Sequence, residues 1–163
     1  MMTRLFRSFR ALFVLGALLL GMEAMAAPLA PGAVFPVLNL EDQHGKVLAV
    51  PAGTRVVLFA ADKTASDLAN ALLAAQPAGV LDRLQAAYLA DISAMPAVIT
   101  RMFALPALRA LPFRVGLARD ASLLADVPRQ RGAVSVIRLS EGRVDRIDFA
   151  SDEVQLRSAL GLQ

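Results

Sequence analysis

The chain contains no cysteine, and that absence excludes more than any motif it carries. Disulfide exchange, thiol peroxidase chemistry and thiolate metal sites all need a sulfur nucleophile or ligand that is missing here. Without disulfides the domain must be stabilised by an ordinary hydrophobic core. Histidine is nearly absent too. His44 is the only one, and it sits in the polar turn Asp42-Gln43-His44-Gly45, where a solvated surface role is expected. A histidine-based triad or a histidine-rich metal site has too little to work with. There is no Gly-x-Gly-x-x-Gly and no P-loop, so the sequence gives no support for a nicotinamide, flavin or nucleotide cofactor, and none is expected. Lysine is confined to Lys46 and Lys63, and the arginines alternate with acids, as in Arg143, Asp145, Arg146 and Asp148. That pattern describes a solvated surface and lacks the concentrated basic stripe of a nucleic-acid binder.

The first 26 residues read as an export signal. Arg4, Arg7 and Arg10 give a basic start, Ala11 to Met22 is an uncharged leucine-rich run, and Ala24-Met25-Ala26 places small residues where a signal peptidase cuts. The apolar run is shorter than the roughly 20 residues that a bilayer span needs. The expectation is therefore a cleaved signal over residues 1–26, a periplasmic protein and no stable membrane span after cleavage. An uncleaved amino terminus tethering the chain to the inner membrane is the alternative. Of 163 residues, removing 26 leaves 137, a length that suits one domain. Removing Arg4, Arg7, Arg10 and Glu23 takes the 17 basic and 14 acidic groups to 14 and 13, a net charge of +1.

Along the remaining chain, residues 27–33 form a Pro/Ala/Gly leader expected to be flexible, followed by a domain over 34–163. Val34 to Leu40 and Val47 to Val50 predict an amino-terminal hairpin about the polar turn. Arg55 to Ala60 is a continuous apolar run, the mark of a strand buried on both faces. Asp62 or Thr64 can cap the next helix, with Asp67 three residues after Thr64 in the manner of a capping box. Leu84 to Ala90 predicts a second strand. Pro96 suits the first position of a second helix, whose apolar residues Val98, Ile99, Met102, Phe103, Leu105 and Leu108 are expected to pack into the core. Phe113 to Ala118 predicts a third strand and Leu123 to Asp126 a short helix. Val134 to Leu139 and Val144 to Phe149 flank Ser140-Glu141-Gly142 as a closing hairpin. Ser151 is placed to cap a last helix that ends at Gly161. Alternating strands and helices imply parallel pairing through right-handed crossovers, and the hairpins add antiparallel strands. The expected class is α/β, with a central mixed sheet covered on both faces.

This order resembles the thioredoxin superfamily, in particular its peroxiredoxin-like or redoxin branch. The segment from Pro36 to Val50 (PVLNLEDQHGKVLAV) resembles that family's opening hairpin. Gly53 to Leu72 (GTRVVLFAADKTASDLANAL) resembles the strand, loop and helix that carry its active site. FRVGLARDASLLADV and GAVSVIRLSEGRVDRIDF resemble its later strands. The likeness implies a thioredoxin-like three-layer α/β/α fold with an amino-terminal hairpin and a carboxy-terminal hairpin plus helix. The activity is not implied. Laid over the family's Cys-x-x-Cys, Thr64 stands where the attacking cysteine would be and Asp67 where its resolving partner would be. The family's cis-proline should precede the strand at Val134, and this chain has Arg131-Gly132-Ala133 there.

The candidate ligand loops are the degenerate active-site positions Asp62, Lys63, Thr64 and Asp67, together with Asp91, Ser93 and Pro96 of the second strand-to-helix loop. In an open α/β sheet such loops line the edge where ligands bind. Helix capping accounts for the carboxylates more simply than a cation does, and no metal is expected. A threonine nucleophile at Thr64 would need an adjacent base, which the sequence does not place there. The leading expectation is a binding or accessory protein without thiol redox activity, acting on a protein or small-molecule partner. The alternative is a thiol-independent enzyme working through the same polar loops.

Overall fold

The computed structural model of the protein describes residues 28–162, so the expected signal segment 1–26 lies outside the described residues. The described strands form one mixed sheet in the spatial order β2-β1-β5-β4-β3-β6-β7. Its centre is β3 (Val56–Ala60), every residue of which is buried. β3 runs parallel to β4 (Ala86–Asp91) and antiparallel to β6 (Val134–Ser140). β5 (Gly116–Ala118) continues the parallel run beyond β4. On the outer flanks, β1 (Leu40–Glu41) pairs with β2 (Val47–Leu48) and β5, and β7 (Arg143–Ala150) pairs with β6. The last hairpin closes on Glu141 and Gly142, both at positive φ (51° and 74°), a two-residue reversal that follows the twist of its strands.

Both crossovers step across the sheet in the same direction, β3 to β4 through α1 (Lys63–Ala74) and α2 (Val80–Arg83), then β4 to β5 through the next helix. Right-handed crossing therefore puts these helices on the same face. Leu72, Leu73, Leu105 and Leu108 bury there against Leu58, Tyr88 and Val136, joined by Leu156 and Leu160 of α5 (Glu153–Leu160). The opposite face has a thinner cover. Leu29, Phe35 and Leu38 of the amino-terminal segment and Leu124 of a 3₁₀ turn (Ala121–Leu124) pack on Val57, Phe59, Leu89 and Ile137. The expected three layers are present, one of them made largely of irregular chain.

Several boundaries differ from the sequence reading, each for a local reason. Residues 27–33 were expected to be a flexible leader, yet Leu29 is buried and donates its N–H to the Asp126 carbonyl, and Gly32 donates to Val144. The strand expected over 34–40 shrinks to Leu40–Glu41 with a lone bridge from Val34 to Arg143, because Pro36 has no N–H to give a ladder. Asp152, not Ser151, caps α5 by accepting from Gln155 N–H. Pro96 precedes the helix and does not open it. That helix runs as α3 (Ala97–Ile99), a π segment (Thr100–Ala104) and α4 (Leu105–Arg109). Pro106 has no N–H for the Met102 carbonyl, and the Leu105 N–H reaches back five residues to Thr100 instead.

The polar turn after β1 is partly internal. Gln43 is 1% exposed and clamps the hairpin to the α4–β5 connection, donating to the Phe113 carbonyl at 2.7 Å and accepting from Val115 N–H at 2.9 Å. Asp42 accepts from His44 and Lys46 N–H and from Arg114 Nε at 2.7 Å. Burial alone would push the Asp42 carboxyl up, but the Lys46 and His44 N–H groups and the Arg114 guanidinium outweigh it and hold it down at about 2. A carboxyl depressed in the folded state contributes stability above its unfolded value of 3.8, lost as pH falls toward 2. Resistance to urea should thus fall as the pH is lowered from 3.8 toward 2. Asp42→Ala should cost about 2 kcal/mol at neutral pH and flatten that dependence.

Candidate functional site at the carboxyl edge of the sheet

The carboxyl ends of β3, β4 and β5 and the start of β6 meet at one edge. Ala60 is in register with both Ala90 and Val134, and Asp91 with Ala118. The loops leaving this edge carry the candidate residues named above.

Asp62 adopts extended backbone (φ −150°, ψ 173°) and is the N-cap of α1. Its Oδ1 accepts from Ala65 N–H at 2.9 Å, as a helix cap does. Its Oδ2 reaches across the edge to Gly132 N–H at 2.7 Å. Burial would raise this carboxyl's pKa, yet the N–H groups of Gly132, Ala65 and Thr64 and the nearby Arg131 charge lower it overall. Asp62 is therefore a poor proton acceptor and a strong tie. Gly132 has a φ of +74°, the left-handed conformation that glycine adopts without a Cβ penalty. A Cβ placed on it would lie 3.9 Å from Thr64 Cγ2. Thr64 thus faces the loop before β6, but it is an interior residue of α1 and does not cap the helix. Among the described residues no peptide bond is cis, the Arg131-Gly132-Ala133 segment included.

Lys63 and Asp67 pair with each other one turn apart on the exposed side of α1. Asp67 is therefore turned to solvent and away from Asp62. The Asp91 side chain is 6% exposed and accepts from Ser93 N–H at 3.0 Å and Ser93 Oγ at 2.6 Å. Arg129 Nη1 completes its shell at 3.0 Å. Arg129 also donates to the Leu124 carbonyl and lies 5.1 Å over the Phe59 ring. The edge therefore gathers Asp62, Thr64, Asp91, Ser93 and Gly132, with every carboxylate oriented by backbone N–H, hydroxyl or guanidinium. Among the described residues no three histidine or carboxylate groups converge as a metal site would require.

Gly132 and Arg129 are the edge residues that the sequence reading missed. The only signal for Gly132 was the position where a cis-proline would stand, and a partner 38 residues from Asp91 leaves no spacing pattern to detect. A shallow cavity of about 260 Å³ beside the edge is lined by Ser93, Met95, Thr100, Arg101 and Arg119. A larger cavity, about 810 Å³, lies at the opposite end of the sheet between Phe35, Leu38, Val50, Arg55 and Leu139. It is distant from all of the candidate loops.

No family model and no curated protein matches the chain. Solved structures do match in shape. Peroxidoxin BcpB from Mycobacterium tuberculosis superposes with a TM-score of 0.53 at 12% identity, covering 82% of this chain and 95% of that one. The thioredoxin domain of a thiol-disulfide oxidoreductase from Bacteroides vulgatus gives 0.52 at 12% identity, covering 83% and 99%. The fold is thioredoxin-like, on a chain without cysteine.

Asp62→Ala should lower stability by about 2 kcal/mol, since it removes an N-cap and strands the Gly132 N–H. Lys63→Ala, which breaks only an exposed pair, should stay within about 0.5 kcal/mol. Chemical denaturation of both variants checks the contrast.

Proposed function

We propose that this is an exported binding or accessory protein that uses a thioredoxin-like scaffold without thiol redox chemistry, and that contacts its partner through the β3–α1 and β4–α3 loops. The observation that carries the reading is the Asp62 carboxylate. The head of α1, where a redox relative needs a thiolate held by free N–H groups, is here occupied by an acidic side chain that joins the helix to the loop before β6. That arrangement supports a fixed, non-exchanging edge. It also disfavours the thiol-independent enzyme. A depressed, doubly bonded Asp62 and an Asp91 engaged by Arg129 offer no free base beside Thr64.

Export is supported by the basic, apolar and small-residue succession of the first 26 residues. Thr64 at the head of α1 is placed at this edge to meet a ligand.

The purified protein should reduce insulin disulfides and consume peroxide no faster than buffer. The form recovered from the periplasm should have a mass lacking residues 1–26. Enzyme-like turnover in either assay would end the non-redox reading, and full-length mass in a membrane fraction would replace export by tethering.

A further inference from the structure

The irregular cover on one face of the sheet leaves a gap at the end opposite the α1 edge. The β1–β2 ladder stops at Leu40 and Leu48. Leu38 and Val50, which the same register would pair, lie outside the ladder and line the cavity of about 810 Å³. Pro36 and Pro51, one on each arm, line it too, and neither has an N–H with which to extend the ladder. The apolar wall belongs to the thinly covered core: Phe35, Leu38 and Leu139 are buried in it, and Val50 packs against it. The volume falls within the roughly 300–1,000 Å³ of small-molecule sites, which pair an apolar lining with a few polar groups.

Arg55 is the cation of this lining. Val56 and Leu58 of β3 bury on the helix-covered face, Val57 and Phe59 on the other. That alternation places Arg55 on the face of Val57 and Phe59, beside Leu139, whose N–H donates to the Arg55 carbonyl at 2.8 Å. An apolar row thus ends in an exposed arginine, and among the described residues its guanidinium has no hydrogen bond or ion pair. Glu141, the other charged residue of the lining, stands in the turn between β6 and β7 and does not pair with Arg55. Two hydroxyls complete the polar lining. Thr54 donates its own to the Pro51 carbonyl at 2.8 Å, which leaves Ser140.

We propose that this cavity binds a carboxylate with an apolar chain, the chain against Phe35, Leu38, Val50 and Leu139 and the carboxylate on the Arg55 guanidinium. One guanidinium offers the paired donors that match one carboxylate. A phosphate dianion would need more donors than Arg55 and Ser140 supply, and Glu141 disfavours a second negative charge. An extended peptide added to either arm would meet a proline where it needs an N–H. The cavity lies away from the β3–α1 and β4–α3 loops, and the inference does not rest on those loops or on the absence of redox activity.

The chain has no tryptophan, so one installed beside the cavity is a local reporter. Val37 lines the cavity and is 91% exposed, so Val37→Trp should fold. In the full chain its emission should shift saturably to shorter wavelength on titration with decanoate below its aggregation concentration. Ala49→Trp, on the opposite arm, should respond in the same way. Val154→Trp, on α5, should not, whatever the first 27 residues bind. Adding Arg55→Gln to Val37→Trp should weaken decanoate binding roughly tenfold. Decanol should bind the parent reporter about that much more weakly than decanoate, and decylammonium more weakly still. Adding Glu141→Gln instead should leave decanoate binding unchanged or tighter. Silence at both reporter positions overturns the proposal, as does an equal response from Val154→Trp. Full affinity in Arg55→Gln, or decylammonium binding as tightly as decanoate, would equally reject a carboxylate held by Arg55.

Discussion

The carboxylate of Asp62 commits one oxygen to the first turn of α1 and the other to the Gly132 N–H in the loop before β6. These two segments lie far apart in the chain and meet only because β3 and β6 are neighbours in the sheet. A charged acceptor on two backbone donors forms stronger hydrogen bonds than a neutral one, and the partial positive charge of a helix amino terminus favours it further. The edge of the sheet is thereby tied across its centre. Arg129 adds a second tie, joining Asp91 to the Leu124 carbonyl while it stacks on Phe59.

A thioredoxin-like scaffold ordinarily leaves the head of this helix available to stabilise a thiolate. In this chain the same electrostatic advantage is satisfied internally by a residue that cannot leave or exchange electrons. The fold is retained because its determinants lie elsewhere: a fully buried β3, two same-sided crossovers, and a hairpin locked by Gln43 and Asp42 against the α4–β5 connection. The absence of cysteine and the determinants of the fold are therefore physically independent. The scaffold is free to present other surfaces, and Val98, Ile99, Met102 and Phe103 face solvent on it.

The sequence made β3, α1 and the closing hairpin legible because each is dictated by local chemistry: a continuous apolar run, an acidic cap, and a Glu-Gly reversal. It misplaced the orientation of the helix after β4. A stripe of Val, Ile, Met and Phe at helical spacing normally means core, but Pro106 removes an N–H and the backbone widens into a π turn, so the side chains depart from the ideal helical period. Thr100, Leu105 and Leu108 face inward as a result. The contacts of the leader were not legible for another reason. Its small residues suggest looseness, whereas its anchoring depends on Asp126 and Val144, which periodicity cannot reveal.

What the sequence determined by itself is chemical: without sulfur there is no thiolate, and with alternating strands and helices there is a mixed α/β sheet. Those conclusions follow from composition and from the two periods of the backbone. What only the tertiary structure decided is which groups meet. Asp62 with Gly132, Asp91 with Arg129, and Gln43 with Phe113 and Val115 are joined by sheet order and loop closure, and hydrogen bonds between such distant residues leave no trace in local spacing.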